Sequence, residues 1–309
     1  MSFASALRPS RLPEKPWQTS DVWRLLGCVF IGMLMGGAVA TTIRYFETTE
    51  TSSPAKFLVI VIAAFACYSA AIVMLSRPWS AEPDIAKLIV LIALLHGGVL
   101  LTWAAGKMIK GDVELKNPII TIVIAVLAFQ GLALVLVHFF LRRHLTNWIE
   151  GFGLNIHPGQ SLLIGIGVGV LVVYPVLLLN DLCFQLFERL TLHPQVQPAV
   201  EILRHTETVF SRAVSGVATV FLAPIGEEVV FRGILYPWAK RRISPAIALW
   251  GTAIVFGAIH FNLSSFIPLT ILALILVWLY EFTGNLLAPI AVHVVFNGTN
   301  FIALFFQQK

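Results

Sequence analysis

The chain has 309 residues, 58% of them hydrophobic and 12% charged, with a net charge of +5. A soluble domain carries roughly 25% charged residues, so an ordinary water-soluble fold is excluded. The small positive charge sits at junctions such as Arg142-Arg143 and Lys240-Arg241-Arg242, which fits membrane topology and lipid headgroups and argues against a nucleic-acid partner.

Residues 1–21 are polar and carry Pro9, Pro13 and Pro16, which predicts a flexible tail. The apolar run that follows ends in Ala38-Val39-Ala40, loosely like a signal-peptidase site. The polar region before it is long for a signal peptide, so an uncleaved first helix is expected. Apolar runs of spanning length then recur to the C-terminus, and about 20 such residues cross the bilayer core as a helix. They predict spans near 22–43, 57–75, 88–105, 119–140, 162–187, 213–236, 245–260, 267–282 and 286–306. The runs are continuous rather than alternating, which argues against a β-barrel. The fold class is therefore all-α, a polytopic transmembrane helical bundle of about nine spans. The seventh and eighth runs are short enough to tilt, re-enter or sit inside the bundle.

Proline marks several joints, and Pro175 inside the fifth run predicts a kink. In the connection 190–212, His193, Pro194 and Pro198 predict a break, with 199–205 as a short interfacial helix. Gly32-x-x-x-Gly36 and Gly165-x-x-x-Gly169 permit close helix packing. Cys28, Cys67 and Cys183 show neither pair nor metal-ligand spacing and read as buried thiols. His96, His138 and Gln130 read as packing residues, and Arg24, Arg142 and Arg143 as arginines that snorkel to headgroups. The dense polar motifs fall in 213–306. The predicted organisation is a tail (1–21), an N-terminal transmembrane bundle (22–150) and a catalytic transmembrane domain (151–309). A cytoplasmic loop at Lys240-Arg241-Arg242 would put the N-terminus inside.

The sixth run carries Glu227-Glu228-Val229-Val230-Phe231-Arg232-Gly233. Ionisable groups at membrane depth cost about 2.5–3.5 kcal/mol each on insertion scales, so they need a reason. Residues four apart share a helix face, so Arg232 is expected to neutralise Glu228. Glu227 points about 100° away and is left as a candidate general base. The seventh run supplies Phe256 and His260, four apart, and the ninth His293 and Asn297, four apart. Each motif alone reads equally as helix–helix glue. Together they hold the groups for hydrolysis of an amide by water. Glu227 would take the proton, His260 would position or share it, and His293 and Asn297 would donate to the oxyanion. The same set, through Glu227, His260 and His293, is also a possible divalent-metal site, zinc being suited to such ligands. No His-Glu-x-x-His motif is present. A proton- or ion-coupled transporter using Glu227, Glu228, His260 and His293 as a relay, and a non-enzymatic membrane immunity or scaffold protein, stay open on residues alone; a transporter would more often show repeated halves.

Glu227-Glu228-x-x-x-Arg232, Phe256-x-x-x-His260 and His293-x-x-x-Asn297, with Phe231-Arg232-Gly233 and Thr283-Gly284-Asn285-Leu286 through Pro289 around them, resemble the CPBP family (CAAX protease and bacteriocin-processing, or Abi), which includes the type II CAAX prenyl endopeptidases. The resemblance covers about the last 110 residues. It implies a membrane endopeptidase with Glu227, Glu228, His260, His293 and Asn297 as catalytic residues and Arg232 as a structural ion-pair partner. It leaves the cofactor as either none or a divalent metal such as zinc. It further implies membrane lipids and a peptide or protein substrate as partners, prenylated peptides being one option, no nucleic acid, and a location in the bacterial plasma membrane.

Overall fold

The computed structural model describes residues 12–47, 54–76, 85–109, 118–192, 200 and 208–306. Every regular element of length among them is a helix: α1 (Thr19–Glu47), α2 (Pro54–Ser76), α3 (Ile85–Lys107), α4 (118–143), α5 (Trp148–Phe152), α6 (Pro158–Arg189), α7 (Val209–Lys240), α8 (Pro245–Ala258), α9 (Leu263–Thr283) and α10 (Leu287–Phe306). Eight of these are long and apolar enough to cross a membrane. The helix over the seventh run, α8, has 14 residues and falls short of that length. Leu163, Leu171 and Tyr174 on α6 are more than two-thirds exposed. Such a face is costly in water and ordinary in lipid. The chain is an integral multi-pass helical membrane protein. The interfacial helix predicted at 199–205 lies outside the described residues, apart from Val200.

The chain divides into two compact units. One is Ser20–Leu136. In it, Gly32 and Gly36 of α1 face Leu132 and Ala128 of α4, and a Cβ on either glycine would lie within 2.3 Å of those side chains. The two helices touch there because the glycines have no side chain. Tyr68 of α2 reaches Thr102 of α3 at 3.1 Å, which gives its hydroxyl a partner inside apolar surroundings. Tyr45 stacks on Phe57 at 3.6 Å between centroids.

The other unit holds Val137–Lys309 together with the N-terminal segment up to Thr19. Here α6 carries Gly165 against the backbone of Ala288 and Gly169 against Val292 and Val295 of α10. The stripe Ala288–Val292–Val295 therefore faces α6. His293 lies one residue, about 100°, round from Val292, so it is turned away from α6 and toward the interior. The entry to α10 is fixed separately. Asn285, fully buried, accepts from Leu287 N at 2.9 Å and donates Nδ2 to Ile156 O at 2.8 Å. Gly153 has φ +70°, and a Cβ there would lie 2.0 Å from Gly284 O. Only glycine meets both conditions. Pro175 lies within a helix that runs unbroken for 32 residues.

The flexible tail predicted for residues 1–21 is corrected over 12–19. Leu12, Lys15 and Trp17 are buried. Trp17 packs edge-on against Phe140 and His144, at 5.1 and 5.3 Å. Lys15 Nζ donates to Glu150 O at 3.4 Å. Pro13 and Pro16, two of the prolines that suggested a tail, lie in a short non-helical strap. The basic run at the end of α7 is engaged by protein. Lys240 binds Glu281, Arg241 donates to Lys15 O, and Arg242 Nε donates to Thr19 Oγ1 at 2.7 Å.

Candidate active site

Helix α7 is among the most buried of the spans, and it is not a regular α-helix. Residues Val217–Leu222 and Val229–Leu235 form wide turns with i→i+5 hydrogen bonds. Such π turns occur mostly as single insertions, often at functional positions. Two prolines accompany them, Pro224 and Pro237, and a proline withholds the N–H that an earlier carbonyl needs. Ala223 N–H goes to Ala218 O. Thr219 O would next look to residue 224, which is proline. The side chain of Asn297 fills that place, its Nδ2 donating to Thr219 O at 2.9 Å. Pro237 has no N–H to give to Arg232 O, which the register of Tyr236 N on Phe231 O would assign to it, or to Gly233 O, which a regular turn would. The indole of Trp17 donates to Gly233 O at 3.1 Å. The short stretch between the two wide turns holds Glu227 and Glu228, and Arg232 lies within the second.

Glu228 is fully buried and Arg232 is 1% exposed. Arg232 Nη1 donates to Glu228 Oε1 at 2.8 Å, and Nη2 donates to Ala273 O of α9 at 3.3 Å. Its guanidinium lies 4.4 Å from the centroid of Phe256, a favourable cation–π contact in a desolvated place. Glu228 Oε1 also faces His293 Nδ1 at 2.8 Å. A carboxylate only accepts, so His293 carries a proton on Nδ1. One carboxylate oxygen thus ties α7 to α10, and the arginine ties both to α9.

Glu227 is the less enclosed of the pair, with its side chain 12% exposed. Its Oε2 is buried and has no hydrogen-bond partner among the described residues. His293 Nε2 lies 3.8 Å from it. A water molecule at ordinary hydrogen-bond distance from both atoms fits that separation.

Phe256 of α8 is the aromatic centre of this region and is fully buried. It contacts Phe231 at 5.2 Å, His293 at 5.9 Å and His260 at 5.0 Å between centroids. His260 follows the end of α8, where its Nδ1 lies 2.8 Å from Phe256 O. A carbonyl only accepts, so Nδ1 carries hydrogen there and Nε2 of the neutral ring is left as an acceptor. Phe261, next in sequence, has φ +48°, a conformation uncommon for a bulky residue. Asn262 then caps α9 by accepting from Ser265 N at 3.0 Å.

The structure therefore brings Glu227, Glu228, Arg232 and His293 together directly and His260 to the same aromatic ring. Asn297 is placed on Thr219 O, with one of its two amide hydrogens used there. Among the described residues, no group of three His, Cys, Asp or Glu side chains is placed to hold a metal ion. The set Glu227, His260 and His293, named above as a possible zinc site, does not fit one. Sequence reasoning missed Thr219 and Trp17. The signal was partial: a proline in an apolar helix leaves carbonyls that need donors from elsewhere, but does not show which side chains supply them.

Residues 209–299 match the family model described as Type II CAAX prenyl endopeptidase Rce1-like. The chain is also similar to the "Uncharacterized protein YpbD" of Bacillus subtilis (strain 168), at 34% identity over 80 residues, covering 25% of this chain and 38% of that protein. The matched stretch thus spans well under half of that relative's length. No solved structure matches the chain. The family match runs through Glu227, Glu228, Arg232, His260, His293 and Asn297, so the resemblance read from those residues is borne out over residues 209–299.

Proposed function

We propose that the chain is an intramembrane endopeptidase that uses Glu227 to activate water against a peptide bond of a membrane-associated substrate. One observation carries this reading: Glu227 Oε2 is buried without a hydrogen-bond partner and lies beside His293 Nε2, whereas Glu228 is held through Oε1 by Arg232 and His293, with its Oε2 buried and likewise without a hydrogen-bond partner among the described residues. Glu227 takes a proton from water, and the water oxygen adds to the carbonyl carbon. Glu227 then returns the proton to the leaving amine as the C–N bond breaks. When protonated on both nitrogens, with Glu227 as the facing carboxylate because Glu228 is paired with Arg232, His293 donates from Nε2 to the oxyanion, and the second amide hydrogen of Asn297 is a further donor. His260, with Nε2 accepting, shares the proton with Glu227. No step is assigned to a metal, because the donor set does not converge.

The Rce1-like match supports a membrane peptidase of CAAX type. The substrate is proposed as a peptide segment at the membrane surface, with prenylated C-terminal peptides as the first class to try, and the location as a bacterial cytoplasmic membrane. The test is a peptide panel, farnesylated and unmodified, offered to the full-length protein in liposomes with and without chelator. Cleavage of at least one membrane-associated peptide, unchanged by chelator, is the expected result. A folded, reconstituted protein that cleaves nothing in the panel overturns the reading.

A further inference from the structure

We infer that Trp17 is a positioning residue for the reacting groups, acting from the N-terminal strap through Gly233; the inference rests on the proposed peptidase reading for its meaning but not for its test. Trp17 is 1% exposed, and its Nε1 donates to Gly233 O across 216 residues of sequence. Gly233 follows Arg232 directly. Its carbonyl lies in the second wide turn of α7, one turn before Pro237, which has no N–H to give to that turn. A buried carbonyl with no partner is costly, so without the indole this turn has reason to rearrange. A regular α-helical turn in its place would rotate Arg232 with respect to Glu228. Glu228 Oε1 would lose one of its two partners, and His293, the other, would lose its fixed place.

The surroundings of Trp17 hold it to that one task. Phe140 and His144 flank the indole edge-on. His144 Nδ1 lies 2.9 Å from its own helix carbonyl at Phe140 and donates to it. The backbone on either side of Trp17 is pinned by Arg241 to Lys15 O and by Arg242 to Thr19 Oγ1. A Cβ at Gly233 would lie 2.5 Å from the ring of Phe152, so the turn is held from its other side too. The arrangement mirrors Asn297 on Thr219 O. The stretch holding Glu227 and Glu228 is thereby bracketed, with one wide-turn carbonyl before it and one after, each met by a side chain from a distant part of the chain.

The test uses the full-length protein in lipid with Trp17→Phe, which keeps an aromatic ring against Phe140 and His144 and removes the N–H. A second version carries benzothienylalanine at position 17, an isostere of tryptophan without the N–H, and serves if Trp17→Phe does not fold. The deciding readout is the pair of imidazole ¹⁵N shifts of His293. These shifts report its hydrogen bond to Glu228 and do not depend on any substrate. The expected result is a changed shift pattern, together with a fall in kcat of about ten- to a hundredfold at near-constant KM where a cleavable peptide is known. Unchanged His293 shifts overturn the inference, whatever happens to melting temperature or rate, because Trp17 would then only be packing. If the wild type cleaves no peptide, the peptidase reading fails while the shifts still decide the role of Trp17.

Discussion

Glu228 and Arg232 show how two charges persist in an apolar helix. Neither is usefully exposed, and each is the main neutralising partner of the other. Removing one partner of such a pair strands the other, at a cost of about 3–5 kcal/mol. Arg232→Ala should therefore lower stability by that order, read as loss of melting temperature in detergent. Replacing both by leucine should cost less than Arg232→Ala alone; a larger loss in the double variant would contradict the pairing. This pair was legible in the sequence from spacing alone, since residues four apart share a helix face. The role of Asn297 was only half legible. Its spacing from His293 showed that it points inward, but the carbonyl it satisfies exists because of a wide turn and Pro224 on another helix. Asn297→Asp, which cannot donate to Thr219 O, should reduce both stability and activity. Normal stability with lost activity would return Asn297 to a purely oxyanion role.

Helix packing in the unit that carries the site depends on how closely α10 approaches its neighbours. A Cβ at Gly153 would meet a backbone oxygen at 2.0 Å in a left-handed conformation, whereas at Gly233 it would meet the ring of Phe152. A ring can move and a fixed backbone cannot. Gly153→Ala should thus cost more than Gly233→Ala, by upwards of about 1 kcal/mol, as differential melting will show. Equal losses would mean that the α5–α6 corner yields more readily than its hydrogen bonds suggest. The spans themselves were easy to read, because a long uncharged run satisfies both its backbone and its side chains as a helix in lipid. The short α8 was legible as a weak span. The wide turns of α7 were not, since their cause lies in hydrogen-bond register rather than in any residue pattern of fixed period.

Over the whole molecule, the N-terminal strap is the feature that composition hid. A polar stretch with three prolines normally reads as a tail, and a single tryptophan is too little signal to reverse that reading. Its burial has a measurable consequence at Lys15. Loss of hydration pushes the ammonium down from 10.5 to about 8. Between about pH 8 and 10.5 the unfolded chain keeps this proton and the folded chain has lost it, so folding is favoured increasingly as pH rises. Below pH 8 both forms are charged and the contribution is flat. Melting temperature followed from pH 7 to 10.5 should contain a rising component that disappears in Lys15→Met. Identical profiles for the two proteins would show that Lys15 is hydrated in the folded state.

The most direct test of the central claim is the turnover of Glu227→Gln per folded molecule in liposomes, on a peptide that the wild type cleaves. The substitution keeps size and polarity and removes the base. The expected result is a loss of at least about a hundredfold with an unchanged melting temperature. A variant that cleaves within a few-fold of wild type would contradict it and leave Glu227 without its role as the base.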